Sequence, residues 1–179
     1  MASLMRMAEV VTTLQGDVSN AEVAKLQMHI KAAEKLLDLG ADIDAADDTG
    51  RAPLHVAAER GHFAMCGLLL SRGAQVDART AAGSTALHLA AHGHEKVVEL
   101  LLGHDALVDA KNDKGQTPLM FATVKGAHEV AKRLLESGAD LLQQDPKGRT
   151  AADLARMLGD VALLELLEAR GEELEKEEL

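Results

Sequence analysis

The side chains best suited to chemistry in this sequence are its eight histidines. His88 and His92 stand four residues apart, and His94 follows. On a helix that spacing puts two imidazoles on one face, which is half of a tetrahedral zinc site. A zinc protease helix needs H-E-x-x-H, with the glutamate as general base. Leu89 occupies that place, and a leucine moves no proton. A metal-dependent enzyme built on these histidines is therefore an alternative that lacks its base. No other catalytic pattern is present. There is no phosphate-cradling glycine loop followed by Lys-Ser/Thr, and no Gly-x-Ser-x-Gly elbow. The expectation is a chain that is not an enzyme and uses neither metal nor cofactor.

The elements that position the histidines repeat. Gly50-Arg51-Ala52-Pro53-Leu54-His55-Val56-Ala57-Ala58 is followed by Gly83-Ser84-Thr85-Ala86-Leu87-His88-Leu89-Ala90-Ala91. Gly115-Gln116-Thr117-Pro118-Leu119-Met120-Phe121-Ala122 and Gly148-Arg149-Thr150-Ala151-Ala152-Asp153-Leu154-Ala155 complete the series. The leading glycines at 50, 83, 115 and 148 are 33, 32 and 33 residues apart. A fixed period of this length marks an array of small units, each needing a neighbour to cover its apolar face.

Each unit has the same internal order. A glycine at a hairpin tip accepts a positive φ at no steric cost. A threonine then caps a first helix, and a proline at its first position loses nothing by lacking an N–H. Only Thr117-Pro118 keeps both residues. First helices are predicted over 53–60, 86–91, 118–125 and 151–157, and second helices over 62–71, 95–103, 128–137 and 161–170. Gly40, Gly73 and Gly138 have the place of left-handed C-caps, whereas Asp105 stands where the third unit should have one. That unit also lacks one residue between Ala91 and Gly93, which allows either simple drift or a local bend. Upstream, Ser19-Asn20-Ala21-Glu22 is a capping-box pattern. Val23, Leu26, Ile30, Ala33 and Leu37 then continue at helical spacing with no glycine at Met28, so one long helix is expected over 20–38. Leu4, Met7, Val11 and Leu14 predict a further helix over 3–14.

These segments resemble the ankyrin-repeat family, whose signature is T-P-L-H-x-A, and the resemblance covers residues 20–171. It implies an all-α solenoid of stacked helix-turn-helix units with short β-hairpin-like loops. The units would be an N-terminal helix at 1–18, an N-terminal capping repeat with the long helix at 19–46, repeats at 47–79, 80–111 and 112–144, a C-terminal capping repeat at 145–171 and an acidic tail at 172–179. Asp153 in the histidine position, with Glu165, Glu168 and Glu172 behind it, suits a terminal unit with a polar outer face. The resemblance also implies that His55 and His88 are structural, bonding to neighbouring backbone.

Composition agrees with thin layers of paired helices. The chain has two Phe, no Trp and no Tyr, so its core must be aliphatic. Cys66, the single cysteine, aligns with Val98 and Ala131 and is expected to be a buried, inert thiol in a reducing compartment. No signal peptide and no run of membrane-spanning length is evident, so a cytoplasmic location is expected, with the nucleus as the alternative. A net charge of −10 argues against nucleic acid.

In the resembled family, partners are gripped by the hairpin tips and the inner face of the first helices. Those positions are Asp48, Arg51, Glu59 and Arg60 in one unit and Arg79, Ser84 and His92 in the next. Lys111, Asp113, Lys114, Gln116 and Lys125 follow, then Lys147 and Arg149. Basic residues dominate this set within an acidic protein. A rigid, monomeric protein-binding module is expected, acting as adaptor, inhibitor or scaffold on a partner that offers an acidic segment. The competing explanation is that the cations pair locally with Asp47, Asp77, Asp109 and Asp145. A chaperone-like or degradation adaptor, using the acidic tail as a second contact, is the other binding alternative.

Overall fold

A computed structural model of the chain describes residues 20–177. The helix predicted over 3–14 and the cap at Ser19 lie outside the described residues. Nine helices follow one another among them, with no strand. They are α1 (Asn20–Asp38), α2 (Pro53–Glu59), α3 (Phe63–Ser71), α4 (Ala86–Ala90), α5 (Glu95–Leu102), α6 (Pro118–Lys125), α7 (His128–Glu136), α8 (Ala151–Leu158) and α9 (Val161–Glu177). First helices pack on first helices, α2 on α4, α4 on α6 and α6 on α8, while α3, α5 and α7 form a second layer.

Leucine and alanine build this stack. Leu54, Leu87, Leu119 and Leu154 on the first helices are buried, as are Leu69, Leu101, Leu134 and Leu167 on the second. Each buried leucine contributes ~2 kcal/mol of apolar transfer. Ala57, Ala58, Ala90, Ala91 and Ala122 are buried between them, and their small side chains let neighbouring helices approach closely. The second leucine of the pair is replaced in α9 by Glu168, which reaches Arg156 at 3.1 Å. That substitution makes this position of the last second helix polar.

The loops between units are stitched by a ladder of carboxylates. Asp44 Oδ1 accepts the amide of Gln75 at 3.1 Å, and Asp77 Oδ1 that of Leu107 at 3.1 Å. Asp109 accepts the amide of Asp140 at 3.1 Å. Burial and the nearby Asp140 charge raise the Asp109 pKa, partly opposed by that amide. Leu142 holds the next place in register and is 80% exposed, so the ladder ends there. The turn also ends there. Gly40, Gly73 and Gly138 adopt φ of +87°, +89° and +86°, but α9 runs straight through Gly171 to Glu177. In the third unit Asp105 itself adopts φ +62°, a strained conformation for a residue with a Cβ.

Candidate recognition face

Four hairpin tips project from one edge of the stack, and each is closed the same way. Asp47 N donates to Arg51 O at 3.0 Å, Thr80 N to Ser84 O at 2.9 Å, Asn112 N to Gln116 O at 3.1 Å and Asp145 N to Arg149 O at 3.0 Å. The first residue of each tip also accepts two amides on one side-chain oxygen. Asp47 Oδ1 takes Thr49 and Arg51, Thr80 Oγ1 takes Ala82 and Ser84, Asn112 Oδ1 takes Lys114 and Gln116, and Asp145 Oδ1 takes Lys147 and Arg149. These side chains fold the tips as Asx-type turns. Adjacent tips are joined by Ala81 N to Thr49 O at 2.9 Å and Asp113 N to Ala82 O at 3.1 Å. A Cβ on Gly50 would stand 2.5 Å from Ala81 N, so glycine there is required by the approach as well as by its φ of +71°. Pro146 occupies the corresponding place in the last tip and has no N–H to donate.

The predicted site residues divide into three groups. Arg51 and Arg149 are paired: Arg51 bridges Asp47 at 3.1 Å and Glu59 at 3.4 Å, and the Arg149 guanidinium grips Asp145, with Nε at 2.8 Å. Hydrogen bonds from the Thr49 hydroxyl and the Arg51 amide hold Asp47 well below the usual carboxylate range. The Arg149 side chain brings Asp145 down to about 2. Arg79 and Lys111 instead lend N–H groups to the next unit, Arg79 Nη1 to Lys111 O at 2.8 Å and Lys111 Nζ to Gln144 O at 3.4 Å. Neither forms an ion pair among the described residues, although the Lys111 charge acts on the Asp109 carboxylate. Arg60, Lys114, Lys125 and Lys147 are exposed and carry no ion pair or hydrogen bond from their side chains within the described residues. Local pairing therefore accounts for Asp47 and Asp145 but not for Asp77 and Asp109, which are taken up in the ladder. Asp48 and Asp113 are exposed on the tips, and Gln116 is half-buried. Ser84 is buried, 6% exposed, behind the tip backbone.

The histidines go to separate tasks. His55 and His88 are 1% and 0% exposed. Their Nδ1 atoms accept the amides of Ala52 at 3.1 Å and Thr85 at 3.2 Å, the N-cap residues of their own helices. Their Nε2–H groups donate to Ala78 O at 2.8 Å and Gln116 O at 3.0 Å in the loops that lead into the next unit. Burial lowers both pKa values. His94 donates from Nε2 to Glu59 O at 2.9 Å. His92 stacks on Phe121, with centroids 5.5 Å and planes 11° apart. No three His, Cys, Asp or Glu side chains within the described residues converge as metal ligands. Burial pushes the Cys66 thiol up to about 12, which leaves it protonated and unreactive.

The period, the tip chemistry and the paired helices meet in one comparison. A family profile described as ankyrin repeats, in three copies, matches residues 21–112 and 105–177. The chain belongs to the ankyrin-repeat family. Among curated proteins none matches it. Ankyrin repeats are generally protein–protein interaction modules and are typically non-enzymatic. Among the described residues no helix is long and apolar enough to cross a membrane.

The sequence placed His92, Gln116 and Lys125 on this ankyrin face, but not Phe121 beside them and not the apolar pair one period further on. Phe121, Val124 and His92 with Gln116 and Lys125 line a cleft of about 100 Å³ between the second and third repeats. Met157 and Leu158, 68% and 56% exposed, stand in register with Val124 and Lys125, 33 residues on. The inner face thus turns apolar toward the C-terminal end. Counting forward one period from Val124 would have found them.

Proposed function

We propose that this chain is a monomeric, non-catalytic module that grips an acidic segment of a partner protein across its tips and first helices. The observation that carries this reading is the group of cations without carboxylate partners. Among the described residues the side chains of Arg60, Lys114, Lys125 and Lys147 make no ion pair or hydrogen bond, and those of Arg79 and Lys111 hydrogen-bond only to carbonyls. Six positive charges of the face thus form no ion pair among the described residues, in a protein of net charge −10. Such a patch steers an acidic partner in and supplies donors for its carboxylates. Arg51 and Arg149 are already occupied and shape the tips.

The test is an affinity pull-down at low and at moderate salt. It compares the wild type with a variant carrying Arg60, Lys114, Lys125 and Lys147 changed to Ser. The expected result is a protein retained by the wild type at low salt and lost both from the variant and from the higher-salt wash. Retention through both changes would remove the acidic-segment reading.

A further inference from the structure

We propose that the cleft between His92 and Val124 seats an aliphatic side chain of the acidic partner segment, with the adjoining carboxylate held by Lys125. This rests on the recognition reading above and specifies what its ligand must contain.

Two irregularities of the array lie beside the cleft. The third unit is one residue short before Gly93, and its first helix, α4, has only five residues. His92 therefore leaves the helix at its end and lies flat on Phe121. Phe121 also meets His88 edge to face, with centroids 5.2 Å apart and planes at 81°. His88 is itself fixed by its bonds to Thr85 N and Gln116 O. The floor is thus an aromatic ring braced against a buried imidazole, with the wall supplied by Val124, 47% exposed. A preformed surface of this kind loses little entropy when a side chain docks on it.

The rim is polar and cationic. The ring nitrogens of His92 and the side-chain amide of Gln116 make no hydrogen bond within the described residues. The Lys125 ammonium, in the last turn of α6, has no ion pair among the described residues. The cleft is small, about 100 Å³, and open to solvent on one side. The end of a Leu, Ile, Val or Met side chain fits such a space. An apolar floor beneath a cationic rim calls for an aliphatic residue next to Asp or Glu.

The experiment selects random 12-residue peptides displayed on phage against the full chain, then measures the enriched peptides by fluorescence anisotropy. Enriched peptides are expected to carry Leu, Ile, Val or Met within two residues of Asp or Glu. Replacing that aliphatic residue by Ser should weaken binding at least tenfold. Val124→Asn should weaken the parent peptide at least fivefold and leave the Ser peptide unchanged, because the two changes remove the same contact. Lys125→Gln should weaken both peptides and flatten their salt dependence. Acidic peptides that bind without an aliphatic requirement, or that ignore Val124→Asn, overturn the cleft assignment and leave the basic-face reading standing. Enrichment of peptides without Asp or Glu, or of none, overturns both.

Discussion

The Nε2–H of His88 donates to the main-chain oxygen of Gln116 across 3.0 Å, and this bond ties a first helix to the loop that opens the following repeat. His55 makes the same bond to Ala78 one repeat earlier. In both rings Nδ1 must stay unprotonated, because it accepts an N-cap amide. A second proton would set one N–H against another inside a dry contact. The structural role thus excludes these imidazoles from metal binding and makes them sensitive to acid.

Stability is therefore expected to fall between pH 7 and pH 5. Both folded pKa values lie below the ordinary 6.5. The unfolded chain takes up protons as the pH drops through about 6.5 while the folded chain does not, so unfolding gains ground. The slope approaches about 1.4 kcal/mol per pH unit for each ring, until the folded rings themselves titrate. Urea unfolding at pH 7.5 and 5.5 should show a lower midpoint at 5.5. In His88→Gln, which keeps a donor for Gln116 but has no titratable ring, the gap should shrink. An unchanged gap would place the acid sensitivity elsewhere.

Ala52 is the one N-cap of the four first helices without a hydroxyl. Thr117 Oγ1 accepts from Met120 N at 3.4 Å and Thr150 Oγ1 from Asp153 N at 3.2 Å. Thr85 shows that a hydroxyl coexists with a histidine at the third helical position, its Oγ1 lying 2.9 Å from His88 Nδ1. Ala52→Ser should therefore stabilise the chain by about 1 kcal/mol. Thermal unfolding would read this as a rise of a few degrees, and a fall would mean that the buried site rejects the hydroxyl.

Asp105 has a φ of +62° where three other units use glycine. Asp105→Gly removes the clash of its Cβ with the backbone and should stabilise the protein by about 0.5–1 kcal/mol, the gain reduced by the greater freedom of glycine in the unfolded chain. A chemical denaturation curve with a higher midpoint and unchanged slope is the expected outcome. A lower midpoint would show that the Asp105 carboxylate makes a larger contribution than its backbone strain.

The tips, caps and helix pairs were legible because they depend on residues a few positions apart: Gly50, Thr117-Pro118, the leucine pairs. The carboxylate ladder was not. Asp77 and Leu107 are 30 residues apart, and their bond needs two repeats stacked in register. The same limit made Asp77 and Asp109 look like partners for the tip cations. Arg51 and Arg149 could be foreseen as paired, since each lies four residues from an aspartate within one turn. Ser84 was a misplaced candidate: its tip position is right, but the fold covers its side chain. The last unit was bounded at Gly171, and among the described residues its second helix runs on through the acidic segment to Glu177. His92 and Phe121 come from different repeats, and only stacking reveals that one ring covers the other.

Met157 and Leu158 give the recognition face an apolar end, and their role can be separated from that of the cations. Changing both to Ser removes exposed side chains only, so the unfolding temperature should stay within a few degrees of wild type. Charge acts mainly on encounter, whereas short-range apolar contacts act mainly on dissociation. Surface plasmon resonance on the partner recovered from the pull-down should then show dissociation about tenfold faster in this double variant, with its association rate and salt dependence unchanged. The variant lacking Arg60, Lys114, Lys125 and Lys147 should show the reverse, with slower association and a shallower salt dependence. Unchanged dissociation in the Met157 and Leu158 variant would mean that contact stops at Lys125, and that the apolar end of the array lies outside the footprint.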